Sequence, residues 1–93
     1  MQFAIYAVDK PNHLALRMET RPAHLKYLEN FTKEIVLAGP LLTDDGQTMI
    51  GSLFIVEVPS RKEAEAFSVN DPYRKAGVFG SVTITAWRKA LPK

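Results

Sequence analysis

Two stretches of this chain, Phe3-Ala4-Ile5-Tyr6-Ala7-Val8 and Leu53-Phe54-Ile55-Val56, are built from β-forming residues and are apolar at odd and even positions alike. A strand that faces a core on one side and water on the other alternates apolar with polar. These two do not, so any fold for the chain must cover both faces of its central strands. The demand is severe for 93 residues, because a single domain of this size buries only about two-thirds of its unfolded surface. Residues 1–93 are read as one domain.

Turn and cap signals divide the rest. Residues 9–19 are polar, contain Pro11 and Asn12, and read as a long loop. Thr20 or Arg21 then suits an N-cap, with Pro22 in the first turn, where a missing N–H costs nothing. The helix is expected to run to about Glu34, with Lys26, Asn30 and Lys33 on its wet side. Residues 35–42 form a second strand, which Gly39-Pro40 confines to a sheet edge or a bulge, since proline cannot donate to a ladder. Asp45-Gly46, within Thr43-Asp44-Asp45-Gly46-Gln47, predicts a tight hairpin turn into a third strand over 49–58. Ser60 and Glu63 make a capping box for a second helix that buries Ala64 and Phe67. Asp71 and Pro72 read as the N-cap and first position of a short helical turn, and residues 79–88 as the last strand.

The order β-α-β-β-α-β is that of the α+β, ferredoxin-like fold: a four-stranded antiparallel sheet, in strand order 4-1-3-2, with both helices on one face. The Pro40 strand then lies on an edge, as its sequence requires. The second sheet face needs another cover, and the simplest is a second copy of the chain packed sheet to sheet. A homodimer is expected.

Charge and composition narrow the partners. The net charge is only +2, and lysines at 26, 33, 62 and 75 are interleaved with glutamates at 29, 34, 63 and 65. That is a solvated mixed surface, not the basic stripe that nucleic acid requires. The first apolar stretch is too short to span a bilayer and has no basic leader or cleavage site beside it. With no cysteine, neither a disulfide frame nor thiolate chemistry is available, and a cytoplasmic setting is expected.

Chemistry centres on His24, in Arg21-Pro22-Ala23-His24-Leu25. His24, Leu28, Phe31 and Ile35 fall at i, i+4, i+7 and i+11, a single helical stripe whose other members are apolar. The imidazole therefore points inward, either as a satisfied core residue or as a catalyst. In the expected topology the start of helix 1 and the segment before strand 4 meet at one end of the sheet, which makes His24 and Asp71 neighbours. Asp71 alone reads most simply as a helix cap. Beside His24 it orients the ring and stabilises the imidazolium once formed, while the helix N-terminus disfavours that cation. Such a pair suits proton abstraction next to a carbonyl, or activation of water. Arg17 and Arg21 are candidate clamps for a substrate anion, and His13 reads as a surface loop residue. One histidine and one carboxylate fall short of the usual three protein ligands for a metal, so neither metal nor cofactor is expected.

Short motifs carry a resemblance: Leu16-Arg17, Arg21-Pro22-Ala23-His24-Leu25, Ala38-Gly39-Pro40-Leu41, Gly51-Ser52-Leu53, Asn70-Asp71-Pro72-Tyr73 and Ala76-Gly77-Val78-Phe79. Each is weakly specific, but in this order and spacing the chain resembles the YciI-like family (YCII-related domain) of the dimeric α/β-barrel superfamily. The resemblance spans nearly the whole chain. It implies a subunit that dimerises through its sheet and an active site around a histidine and an aspartate, which fall on His24 and Asp71. It also implies activities of the isomerase, lactone hydrolase or dehalogenase type: the superfamily includes muconolactone isomerase, and the family a dehalogenase of chlorinated muconate-type lactones. Ala86 stands where a proline is common in relatives, which bears on the end of the last strand and not on the site.

The sequence thus points to cofactor-independent acid–base chemistry on a small anionic carbonyl or lactone compound. His24 is the base, Asp71 its partner, Arg17 or Arg21 the anion clamp, and Gly39, Pro40 and Tyr73 the walls. The competing reading is a non-catalytic dimeric protein that binds a small molecule or serves as an accessory module.

Overall fold

The computed structural model describes residues 1–93. The chain folds as β1 (Gln2–Asp9), α1 (Leu14–Leu28), a 3-10 turn (Glu29–Phe31), β2 (Ile35–Leu42), β3 (Met49–Glu57), α2 (Arg61–Val69), α3 (Pro72–Ala76) and β4 (Phe79–Trp87). The strands form one antiparallel sheet in the order β2-β3-β1-β4. This is the expected ferredoxin-like α+β fold, with the Pro40 strand on an edge. No helix is long and apolar enough to cross a membrane.

Strand parity sorts the two sheet faces. Phe3 and Ile5 of β1 lie opposite Val56 and Phe54 of β3, and all four are buried with Val58, Ala64 and Phe67 in the main core. Tyr27, Leu28, Phe31 and Ile35 pack onto that core, so the expected apolar stripe is real although it crosses from helix to strand. On the other face, Ala4, Tyr6 and Val8 stand opposite Ile55, Leu53 and Gly51. Leu37 pairs with Ile55 and Gln2 with Trp87 on this same face. Tyr6, Val8, Leu37 and Trp87 are exposed in the single chain, so the apolar second face is left open. Strand β4 continues through Ala86, which pairs with Phe3.

Three local expectations are corrected. First, α1 begins at Leu14, not near Thr20, and ends at Leu28 rather than Glu34. Pro22 therefore sits inside the helix and not in its first turn. It is exposed, so the carbonyl that loses its N–H partner four residues back can turn to water. Residues 14–19 are mostly good helix formers, and the true loop is only residues 10–13, with Asn12 at φ 62° making the turn. Second, the hairpin is wider than a two-residue turn. Gly46 donates to the Thr43 carbonyl at 2.8 Å, and Thr43 to that of Thr48 at 2.9 Å; only Gly46 takes positive φ. Third, the Ser60 hydroxyl bonds the Glu63 carboxylate rather than a backbone N–H.

One glycine is fixed by proximity. A Cβ at Gly51 would lie 2.3 Å from the Ala7 carbonyl oxygen and 2.8 Å from a Leu41 methyl carbon, so β1 and β2 close around it.

Candidate active site

With α1 starting at Leu14, Arg17, Arg21, His24 and Leu28 fall at i, i+4, i+7 and i+11 and share a stripe. All four line a cleft of about 180 Å³ between α1 and the sheet. Its far wall is Ala38, Gly39 and Pro40 of β2 with Ser52 and Phe54 of β3, and Tyr73 of α3 closes one side. A larger, open groove of about 630 Å³ beside Met1, Glu57 and Trp87 contains none of these groups.

His24 is buried at 6% exposure. Its Nδ1 lies 2.8 Å from Asp71 Oδ1. An ionised carboxylate only accepts, so Nδ1 carries the proton and donates it to Asp71. Nε2, on the other side of the ring, has no partner within the chain. Asp71 Oδ1 also accepts from the Tyr73 backbone N–H at 3.0 Å, as the N-cap of α3. One oxygen therefore caps a helix and holds the imidazole at once. Pro72 at the first helical position and Gly77 in the left-handed conformation (φ 82°) bound α3 on either side. They fix the Asp71–Tyr73 turn against α1.

Rings frame the imidazole. Tyr73 stacks on His24 with centroids 3.9 Å apart at 19°, and Phe54 meets it edge-on at 6.0 Å. Burial pushes the Tyr73 hydroxyl above the ordinary phenol range, against the pull of the Arg17 and Arg21 charges. One expectation fails here: His24 stands in the third turn of α1, and the field of a helix N-terminus fades beyond the first turn. The imidazole is governed by Asp71 and its ring neighbours instead.

The two arginines separate. Arg17 Nε donates to Asp9 Oδ2 at 2.7 Å, and Nη2 reaches Asp9 Oδ1 at 3.2 Å and Ser52 Oγ at 2.7 Å. The guanidinium carbon also lies 4.3 Å from the Tyr73 ring centroid. Both side chains of this ion pair are nearly inaccessible, at 2% and 6%, so Arg17 is a fixed wall whose charge Asp9 answers. Arg21 is exposed at the cleft edge with no ion pair, and is available to an incoming anion. His13 lies in the loop, its Nδ1 donating to the Pro11 carbonyl at 2.8 Å. Gly39 lines the cleft with its backbone, and a Cβ there would meet nothing within 4 Å.

Sequence reasoning missed Asp9 and Ser52. Ser52 had a signal: it is the only polar side chain between Met49 and Glu57, and it sits at a core-facing position. No three His, Cys, Asp or Glu side chains gather in a way that could hold a metal ion.

With this geometry in view, the model of the YCII-related domain matches residues 1–88. The chain belongs to the YCII-related domain family. Among its relatives, Protein YciI of Escherichia coli O6:H1 and of Shigella flexneri are each 35% identical over 98 aligned residues, covering 98% of this chain and all of theirs. An uncharacterized protein of Haemophilus influenzae is 30% identical over the same coverage. Among solved structures, this YCII-related chain matches 5-chloro-2-hydroxyhydroquinone dehydrochlorinase (TftG) of Burkholderia phenoliruptrix AC1100, in complex with 2,5-dihydroxybenzoquinone. The TM-score is 0.90 at 37% identity, covering 97% of this chain and 96% of that one.

Proposed function

We propose that this YCII-related protein is an enzyme that moves protons on a small anionic carbonyl or lactone compound without a cofactor. The observation that carries this reading is the buried His24–Asp71 pair, whose unpartnered Nε2 belongs to a residue lining a ring-sized cleft. His24 Nε2 is the base. Asp71 holds the ring in the tautomer that leaves Nε2 able to accept, and stabilises the imidazolium that forms. Arg21 attracts the substrate's negative charge, while Arg17, Pro40, the Gly39 backbone and Tyr73 give the cleft its shape. Asp71 and the stacked Tyr73 fix His24 before substrate arrives, so little reorganisation is needed during proton transfer.

The similarity to a dehydrochlorinase supports elimination chemistry, in which loss of a proton is coupled to departure of a leaving group. Isomerisation and lactone hydrolysis need the same base. We further propose that the open sheet face is covered by a second copy of the chain, the cleft lying on the opposite, helix-bearing side.

The test is a screen of lactones, enol-lactones, chlorinated hydroquinones and halogenated ring-cleavage products, read by product formation for the native protein and for His24→Ala. Turnover by the native protein that disappears in His24→Ala is the expected result. Full activity in that variant overturns the mechanism, and thermal stabilisation by a compound with no turnover supports the binding-protein reading.

A further inference from the structure

We propose that the cleft has an apolar end that takes a substituent of the substrate, and that Ala38 sets how large that substituent can be. The substrate is then a single ring with its oxygens at one end and, opposite them, an apolar group of one or two heavy atoms. The inference rests on the acid–base reading above and adds to it the shape of the compound.

The lining of the cleft changes along its length. Arg17, near the start of α1, bonds Ser52, and Leu28, at the end of α1, packs onto the core cluster that holds Phe54. Ser52 and Phe54 stand opposite Pro40 and Ala38 of β2. Along α1 the cleft therefore meets Arg17 and Arg21 first, then His24, then Leu25 and Leu28, with Ala38 and Phe54 at that same end. Phe54 meets the imidazole edge-on at 6.0 Å, so the apolar end begins beside the base. None of its four side chains can hydrogen-bond. A polar group there would lose water without gaining a side-chain partner, whereas an apolar group gains by leaving water.

Strand β2 is cut away at this point. It reads Ile-Val-Leu before Ala38-Gly39 and Pro-Leu-Leu after, so its two smallest residues are the two that line the cleft with Pro40. Paired residues on adjacent strands point to the same face, so the Ala38 methyl projects with Phe54 toward the helix-bearing side. Phe54 is buried there while Ala38 stays exposed, because α1 covers β3 and stops short of β2. One methyl group thus bounds the gap.

Volume fixes what the gap holds. A cavity of ~150 Å³ accommodates one benzene ring, and this cleft is about 180 Å³. What remains beside a ring is about the volume of one water molecule, enough for a methyl group and too little for a branched chain.

The probes are 1,3-cyclohexanedione and its 5-methyl and 5-isopropyl derivatives, single-ring enolates with both oxygens at one end and the substituent opposite. Each is titrated by its ultraviolet absorbance against the native protein, Ala38→Val and Ala38→Gly, with the His24 imidazole followed by nitrogen NMR. In the native protein the 5-methyl compound should bind about 4-fold more tightly than the unsubstituted one, the worth of one buried methyl group. The 5-isopropyl compound should bind more weakly than the 5-methyl. Valine suits a strand and fills the gap, so Ala38→Val should reverse the preference for the methyl group. Ala38→Gly widens the gap and should move the optimum to the 5-isopropyl compound. Binding that perturbs His24 but gains nothing from the methyl group overturns the apolar end and leaves the acid–base reading standing. So does an order of the three compounds that is the same in both variants as in the native protein, the result of a merely structural role for Ala38. No binding, or binding that leaves His24 unperturbed, overturns both.

Discussion

Asp71 shows how one side chain can answer two demands, and how they can be separated. Its Oδ1 caps α3 through the Tyr73 N–H and holds His24 Nδ1. Asparagine caps a helix about as well as aspartate does, but it brings no charge to stabilise an imidazolium. Asp71→Asn is therefore expected to unfold close to the native midpoint while turnover falls by about 10²–10⁴-fold, the usual worth of general acid–base catalysis. Asp71→Ala, which also loses the cap, should cost about 1 kcal/mol more in denaturant unfolding. Equal activity in Asp71→Asn and the native protein would reduce Asp71 to its cap. The His24–Asp71 pairing was legible because both residues carry local signals, an imidazole on an apolar stripe and a cap before proline, and because strand order fixes which ends meet. The Asp9–Arg17–Ser52 network was not. It joins three elements through side chains whose local sequences suit a loop, a helix and a strand equally well without it.

At the scale of elements, proline misled and then informed. Pro22 reads locally as a helix start, yet α1 runs through it, because packing of Leu16 and Arg17 beneath outweighs one lost hydrogen bond on the exposed side. The shift of onset by about two turns brings Arg17 from a loop onto the helix, and so into the cleft. Strand Ile35–Leu42, by contrast, lies on the edge, where the strand order put it and where Pro40, which allowed an edge or a bulge, is tolerated. The other end of α1 is tied to α2 by Tyr27, whose hydroxyl donates to the Phe67 carbonyl at 2.9 Å. Burial, aided by the nearby Asp71 charge, pushes that hydroxyl up to about 12, whereas an unfolded tyrosine releases its proton near pH ~10. The folded state thus keeps a proton that the unfolded state has lost. The contribution is complete below about pH 10 and is lost as pH rises toward about 12. Urea unfolding across that range should show native stability declining more steeply than that of Tyr27→Phe, which cannot ionise. Parallel declines would mean that Tyr27 titrates alike in both states.

For the whole molecule, the decisive sequence feature was that the central strands are apolar at every position. One chain satisfies half of it: Phe3, Ile5, Phe54 and Val56 are buried, while Tyr6, Val8, Leu37 and Trp87 face outward. A face of this kind is the part of a single-domain fold that a partner covers. Sedimentation equilibrium is expected to give twice the chain mass of 10.4 kDa. Glutamate at two outward positions, Tyr6→Glu with Leu37→Glu, places unpaired charge in the proposed interface and should return the mass to that of one chain. The cleft lies on the helix-bearing side, away from the proposed interface, so the monomeric variant should keep any turnover that the substrate screen detects. A native protein that sediments as a single chain would overturn the dimer. Loss of turnover on dissociation would mean instead that the partner is needed to hold α1 and the sheet at the separation the cleft requires.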